Sequence, residues 1–216
     1  MRLKNLLPIM ALGALILAPA AANAQFTKSW KDWYGHVAGG YSFVRGDAAG
    51  VIKDGWNVNG GATYYPDDWL IGISLGLDFE SHDLKREILD AFEASGGDVN
   101  IAALTLGLSW SPKLDGSIGF YVNGGIGGYY VKGKLKEPGV VCGPVCPPWS
   151  WWCSPGCLPG TIITDSTSST DFGLNLAAAI TFEVGEGSMI YVEVKYHRID
   201  SAVTTTYIPI SVGYRW

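Results

Sequence analysis

The sequence predicts an all-β protein: an eight-stranded antiparallel transmembrane β-barrel of up-and-down topology, with a short helix in one loop. Three observations predict this class. Hydrophobic residues alternate with small or polar residues in segments of about ten, the length that a tilted strand needs to cross a bilayer. The 216 residues include 29 glycines but only 16% charged residues, whereas soluble domains have about 25%. Beyond residue 24 no run of 18 apolar residues occurs, which excludes a helical membrane protein.

The first 24 residues have the three parts of a secretory signal peptide. These are the basic Arg2 and Lys4, the apolar stretch 6–17, and the small-residue cleavage site Ala22-Asn23-Ala24. We therefore expect a signal peptide over 1–24 and a barrel domain over 25–216. The alternative is an uncleaved anchor helix, which the short apolar stretch disfavours. The net charge of −5, more negative still without Arg2 and Lys4, indicates that no nucleic acid is bound.

Five segments alternate strictly with a period of two, and three do so more weakly because of their glycines. The strict segments are 69–80, 101–110, 171–183, 190–198 and 207–216, and the weaker ones are 34–44, 56–65 and 118–131. Successive side chains of a strand point to opposite faces, so each segment has one large apolar face and one small or polar face.

The residue types indicate which face is outside. A soluble sandwich also alternates, but it turns its apolar face inward. Here the polar face is mostly Gly, Ala, Ser, Thr and Asn, which suit a crowded interior, and aromatic residues stand near the segment ends as in interfacial girdles. The pattern therefore predicts a lipid-facing outer surface around a lumen filled by side chains.

The connections alternate between short and long. The short turns are near 65–69, 111–116 and 184–188, and the longer loops are near 46–54, 82–97, 133–168 and 199–203. Short turns at one rim and long loops at the other are typical of membrane-spanning barrels. The helix is predicted over 83–94, with Asp83 as its cap, Gly96-Gly97 as its end, and Leu84, Ile88, Ala91 and Phe92 on one side. We expect it to lie over the barrel mouth or in the headgroup layer.

Seven charged or titratable residues fall on the predicted inner face: Asp78, Glu80, Glu183, Glu193, Lys195, His197 and Arg215. Charges held away from bulk water must pair or change protonation state. We therefore expect a plug of salt bridges and hydrogen bonds in the lumen. Glu193 and Lys195 lie two residues apart on one strand, so they can share partners across the lumen. The alternative is a path for protons or small ions.

Four cysteines lie in the longest loop with spacing that is symmetric about its centre: Cys142, Cys146, Cys153 and Cys157. Four cysteines allow three pairings. A nested pair of disulfides, Cys142–Cys157 outside Cys146–Cys153, would close the loop into a hairpin. Disulfides are the usual state of cysteines in exported proteins. A zinc site of four thiolates is the alternative.

Three tryptophans stand between the inner cysteines: Trp149, Trp151 and Trp152. Large aromatic side chains are unfavourable in water, so one interpretation packs them on the loop itself or on the headgroup layer. The other interpretation is a contact surface for a partner protein, a glycan or another membrane, because tryptophan is enriched at binding hot spots.

With these features the chain after residue 24 resembles the small eight-stranded outer-membrane barrels of the OmpA/OmpX-like type, the "outer membrane protein beta-barrel domain". The most specific part of the resemblance is the segment 207–216. Its Tyr214 and Trp216 are similar to the family's C-terminal signal for the barrel-insertion machinery, with Trp where Phe is commonest. The resemblance implies the outer membrane of a Gram-negative-type bacterium, with outer-membrane lipid and the insertion machinery as partners.

The resemblance further implies a structural or surface-interaction role, such as envelope integrity, adhesion or ligand contact through the extracellular loops. We expect no catalytic residue, bound metal or cofactor. Two alternatives are a lipid A-modifying hydrolase and a narrow passive pore. The hydrolase needs a His-x-Ser pair facing the lipid, and the nearest match, His197 with Ser201, has a different spacing and turns His197 into the lumen.

Overall fold

The computed structural model describes residues 33–66, 69–112, 117–145, 154–185, 187–200 and 204–216. These form a closed antiparallel barrel in which each strand pairs with its neighbours in sequence and the last pairs with the first. The strands are β1 (Trp33–Arg45), β2 (Gly55–Tyr64), β3 (Ile71–Asp83), β4 (Gly96–Trp110), β5 (Ile118–Val145), β6 (Ser154–Gly185), β7 (Ser188–Asp200) and β8 (Thr205–Arg215). A 3-10 helix (Gly46–Gly50) follows β1, and helix α1 (Arg86–Ala91) follows β3.

The predicted fold class is confirmed, and each of the eight predicted segments lies largely within a strand. The predicted signal peptide over 1–24 lies outside the described residues and stays a prediction. Within the described ranges, no helix has both the length and the apolar character required to traverse a bilayer.

The alternation of side chains places the apolar faces outside. On β3, Leu77 is 62% exposed, whereas its neighbour Asp78 is 7% exposed, and the same alternation runs along β6 and β7. Phe172 reaches 81% exposure. A belt of exposed Leu, Ile and Val side chains therefore surrounds a polar interior, the inverse of a water-soluble protein and the arrangement that hydrocarbon requires.

Two rings of exposed aromatic side chains border this belt. The termini-side girdle, at the end of the barrel where β1 begins and β8 ends, comprises Trp33, Trp69, Trp110, Phe182 and Trp216. The loop-side girdle, at the opposite end, comprises Tyr41, Trp56, Phe79, Tyr130, Phe172 and Tyr196. Aromatic rings of this kind sit at the two interfaces between hydrocarbon and headgroups, so the girdles mark the two boundaries of the membrane-spanning belt.

The sequence analysis expected a loop over 133–168, but its described residues, 133–145 and 154–168, continue β5 and β6. Their pairing extends to Val145 opposite Ser154, with one register shift next to Leu135 and Lys136. We call the part beyond the girdle, residues 133–145 and 154–168, the β5–β6 hairpin. The apolar alternation of a half-buried strand is absent from this segment, so the sequence pattern could not reveal it. The two arms satisfy each other's backbone hydrogen-bonding groups, which stabilises the extended pairing.

Helix α1 differs from the predicted helix in its start, its end and its buried face, since it ends at Ala91 while Gly96 and Gly97 open β4. It begins after Lys85, which makes no side-chain cap, and Asp83 instead ends β3 opposite Asp98. Leu89 is buried, whereas Phe92 is 60% exposed. Leu84, which precedes the helix, forms a bridge with Ile52, and Leu89 packs in the same apolar cluster as these two residues.

The loop between β1 and β2 and the loop between β3 and β4 pack together over the loop-side end of the barrel. Their apolar cluster, which we call the mouth core, consists of Val44, Ala48, Ile52, Leu84, Leu89 and Ala94, with Ala49, Val99 and Leu135 against it. The inward-facing ends of β1, β4 and β5 contribute to this cluster. Helix α1 therefore lies over the barrel mouth, one of the two placements that the sequence predicted.

The orientation of the barrel wall is tested by placing a cation at mid-membrane. Leu106 faces outward on β4, halfway between Trp110 of the termini-side girdle and Ala102, which is the register partner of Phe79 and Tyr130 of the loop-side girdle. Leu106→Arg should lower the free energy of unfolding in lipid vesicles by about 2–4 kcal/mol, because a lipid-facing guanidinium is least favourable at the bilayer midplane. The control Ile118→Arg, at the termini-side boundary, should lower it by only about 0–1 kcal/mol. Equal effects of the two substitutions in urea titrations would contradict a lipid-facing wall.

Candidate functional site

The lumen contains an ion cluster that spans two strands on opposite sides of the barrel. Lys195 on β7 donates from Nζ to Asp78 Oδ1 on β3 at 2.7 Å and lies 3.5 Å from Glu193 Oε1. Asp78 and Glu193 are both buried. Because β3 and β7 are not neighbours in the sheet, these bonds cross the lumen. Of the two residues that the sequence analysis expected to share partners across the lumen, Lys195 reaches Asp78, whereas Glu193 contacts Lys195 itself and Tyr121.

Three tyrosines and a histidine enclose this cluster. Tyr121 donates its hydroxyl to Glu193 Oε2 at 2.7 Å, and Tyr129 Oη lies 2.9 Å from His197 Nδ1. The ring of His197 stacks on Tyr207 at 4.6 Å with an interplanar angle of 17°. These side chains are almost inaccessible, so the centre of the lumen is packed with rings and charges.

Arg215 on β8 is held by aromatic faces nearer to the chain ends. Its guanidinium carbon lies 4.4 Å from the ring centroid of Tyr34, 5.3 Å from that of Tyr121 and 5.7 Å from that of Tyr65. A cation over the face of an aromatic ring is stabilised by the ring quadrupole, and more strongly where water is excluded. Tyr121 thus joins Arg215 to Glu193, the carboxylate that accepts its hydroxyl.

Glu80 forms a second polar group near the loops. Its Oε2 lies 3.2 Å from His82 Nε2, while His82 Nδ1 lies 3.0 Å from the backbone oxygen of Lys53. Glu80 and His82 are buried. The pair therefore ties β3 to the loop between β1 and β2, just beneath the mouth core.

Six of the seven predicted inner residues lie in the lumen, and the placement of Glu183 is wrong. Glu183 is exposed at the termini-side end of β6, where the ladder to β7 shifts register between Glu183 and Gly185. The sequence pattern places Glu183 on the same inward face as the buried Thr181, and that face is correct. The strand at that point has passed the packed interior, so the side chain reaches water.

The lumen tyrosines carry much of the interior, although the sequence analysis did not single them out as site residues. The alternation could have found Tyr191 and Tyr207, because they share a face with Glu193 and Arg215 respectively. Tyr121 and Tyr129 were harder to recognise, since β5 has glycines at many positions of both faces. A large aromatic residue on the polar face of a strand thus indicates that side chains fill the lumen.

The lumen leaves little empty space around the ion cluster. A cavity of about 30 Å³ is bordered by polar side chains that include His36, Asn123, Asn175, Lys195 and Arg215. That volume accommodates about one or two water molecules. The arrangement is suited to holding the barrel together from inside rather than to binding a substrate.

The remaining predicted residues fall in three places. Cys146, Cys153, Trp149, Trp151 and Trp152 lie outside the described residues. Cys142 and Cys157 are direct register partners across the β5–β6 hairpin. Tyr214 and Trp216 stack at a ring distance of 6.0 Å at the barrel rim, where the backbone of Trp216 exchanges two hydrogen bonds of 3.0 Å with Gly35. Their part in insertion stays a prediction.

A closed eight-stranded barrel with an apolar exterior and a packed ionic lumen defines the class of small outer-membrane barrels. A family model of the outer membrane protein beta-barrel domain matches residues 9–215. The chain therefore belongs to the outer membrane protein beta-barrel family, which implies a bacterial outer membrane. Among curated proteins, no sequence matches the chain.

Solved structures agree with this fold. Neisserial surface protein A has a TM-score of 0.54 at 11% identity, covering 85% of this chain and 95% of that protein. A major outer membrane protein from Thermus thermophilus has a TM-score of 0.50 at 11% identity, covering 85% of this chain and 99% of that protein. At such identities the likeness shows the fold.

Removing the cation of the ion cluster should destabilise the barrel more than removing one of its carboxylates. Lys195→Met leaves the buried Asp78 and Glu193 without their shared cation, so it should lower the free energy of unfolding by about 3–5 kcal/mol. Asp78→Asn should lower it less, because Lys195 keeps Glu193 and the new amide oxygen still accepts a hydrogen bond. Urea titration in lipid vesicles measures both values. The exposed Glu183→Gln is the control and should stay within about 0.5 kcal/mol of the unchanged protein. Equal losses for the two lumen variants would contradict the assignment.

Proposed function

We propose that the protein acts in interactions at the cell surface, and that the β5–β6 hairpin is its contact element. One observation carries the proposal: the pairing of β5 with β6 continues far beyond the loop-side girdle. From Tyr130 to Val145 the strand spans about 50 Å of extended chain, longer than the roughly 40 Å from Ile118 to Tyr130 that crosses the membrane. Such a length has no use in crossing the bilayer.

The composition of the hairpin supports a role in contact. Its β6 arm over 165–168 is exposed and consists of Asp, Ser and Thr, a surface with many hydrogen-bonding groups. The sequence places three tryptophans between the ends of the two arms, and tryptophan is enriched at binding hot spots. An extended hairpin with a polar stretch beside exposed Ile162 and Ile163, and with tryptophans in the sequence between its arms, is suited to a glycan or protein partner. Catalysis is not part of the proposal.

The packed lumen argues against the two alternatives. A passive pore needs a water-filled path, whereas Tyr129, Tyr191, Tyr207 and His197 fill the cross-section with side chains of 0–1% exposure. A lipid-modifying hydrolase needs its base on the outer face, whereas His197 bonds to Tyr129 inside the barrel. His36 and His82 also face the interior, against Tyr191 and Glu80 respectively.

The contact role is tested by shortening the hairpin without disturbing the barrel. Residues 138–161 are replaced by Asn-Gly, a two-residue turn that joins the register partners Glu137 and Ile162. Fluorescent proteoliposomes are then passed over surfaces coated with a glycan array or with extracellular-matrix proteins. Retention of the unchanged protein should exceed that of empty liposomes and should fall to the empty-liposome level for the shortened one.

A second variant tests the tip alone. Trp149, Trp151 and Trp152 changed together to Ala should lose at least three-quarters of the retention, since the arms remain. Both variants should keep heat-modifiable gel migration, which shows that the barrel still folds. Retention that is equal for the unchanged and shortened proteins, or equal to that of empty liposomes throughout, would refute the proposal.

The hairpin should be stiffened by nested disulfides. Directly opposed residues of an antiparallel pair have Cα atoms about 4.5–5.5 Å apart, within the range that a disulfide spans, and Cys142 opposes Cys157 in this way. Peptide mapping without reduction should recover Cys142–Cys157 and Cys146–Cys153. Recovery of Cys142–Cys146 or of four free thiols would contradict the nested pairing, and zinc released on thiol modification would favour the metal site.

A further inference from the structure

The lipid-facing wall is not smooth but contains a wide apolar depression next to the loop-side girdle. Its volume is about 720 Å³, and we call it the wall groove. Its floor is low because Gly60, Ala102 and Gly128 have almost no side chain. Leu77 and Phe79 border it on β3, and Leu104 and Tyr130 border it on β4 and β5, with Thr170 at its edge on β6.

A row of lysines stands directly above the wall groove. Lys132, Lys134 and Lys136 follow Tyr130 at alternate positions of β5, so all three share its outward face. Tyr130 belongs to the loop-side girdle. The row, which we call the lysine ladder, therefore begins about 7 Å further along the strand, at the level where lipid headgroups begin.

Two of the three ladder residues form no ion pair with any described residue, although Asp98 on β4 is the register partner of Lys134. Lys136 forms an ion pair with Asp98, which also accepts a hydrogen bond of 2.7 Å from Asn100. In the described part of the chain, Lys132 and Lys134 have no ion-pair partner, and both are half-buried along their stems. On the other side their register partners on β6 are Ser168 and Ser166, whose exposed hydroxyls are further donors.

We propose that the wall groove and the lysine ladder together bind one phosphate-bearing lipid of the outer leaflet. An acyl chain lies in the groove over Gly128, and a headgroup phosphate lies between Lys132 and Lys134 with the serines of β6 beside it. The apolar surface and the cationic row are continuous along one strand and meet at the girdle, which is where chain and headgroup of a single lipid meet. Neither feature alone specifies a lipid, but their order along β5 does.

The headgroup half is tested by native mass spectrometry of the full mature protein in detergent micelles, titrated with bisphosphorylated lipid A. Lys132→Gln with Lys134→Gln should weaken binding about tenfold or more, because each cation next to an anionic headgroup contributes a severalfold factor. The matched control is Lys53→Gln with Lys85→Gln, which removes the same charge from the loop-side end away from the ladder. The control should bind as the unchanged protein does.

The acyl half is tested by filling the groove. A Cβ at Gly128 would have no heavy atom within 4 Å, so Gly128→Leu fits without disturbing the barrel. It should weaken lipid binding about tenfold, since it displaces several methylene groups from the wall. The matched control is Gly124→Leu, an outward glycine in the other half of the wall whose Cβ would lie 3.6 Å from Leu176 Cδ1. This control should leave binding unchanged.

Further arms separate the lipid from other anions and from other occupants. Lipid A treated with phosphatase should bind at least tenfold more weakly than the bisphosphorylated form, and inorganic phosphate at millimolar concentration should not displace the intact lipid. Binding that is unaffected by the ladder variant would overturn the proposal. The proposal would also be overturned if inorganic phosphate displaced the lipid and Gly128→Leu left lipid binding unchanged. A dimer that Gly128→Leu abolishes while lipid binding persists would overturn it as well.

Discussion

Closure of the sheet between its first and last strands is the constraint on which the rest of the molecule depends. In hydrocarbon no water satisfies backbone N–H and C=O groups, so a sheet can cross a membrane only when it has no free edge. Here β1 pairs with β8 from His36 opposite Arg215 to Arg45 opposite Thr206. Once the ladder is closed, every second side chain must face lipid and every other one must face a narrow interior.

The interior then has to satisfy itself. An eight-stranded barrel is just wide enough for its own side chains, so the inward residues of distant strands meet directly. Lys195 reaches Asp78 across the lumen, and Tyr121 joins Glu193 to the region of Arg215. The tyrosines solve the problem of filling the volume while still offering hydroxyls to the charges. The lumen is thus a core in which aromatic rings replace the aliphatic side chains of a soluble protein.

The alternation of side chains made the barrel and most of its lumen predictable, because a period of two is imposed by the backbone itself. Features that do not depend on that period were missed. Glu183 has the right face but lies past the packed region. Leu89 of α1 packs with Ile52 and Leu84, a contact between two loops that no local pattern contains. The sequence of the β5–β6 hairpin lacks the apolar alternation that marks a strand. The wall groove needs residues from six strands side by side, which only the register supplies.

The clasp between Gly35 and Trp216 has a consequence for how the molecule comes into being. The closing contact joins β1 to β8, the first and last strands of the sheet. It therefore cannot form until all eight strands have reached the membrane. Every shorter intermediate has two bare strand edges that are able to add further strands. The pairing of β1 with β8 has the largest sequence separation in the sheet and so forms slowly, and it is also the step that removes the exposed edges. Chaperones must therefore protect the unfinished sheet until β8 is in place.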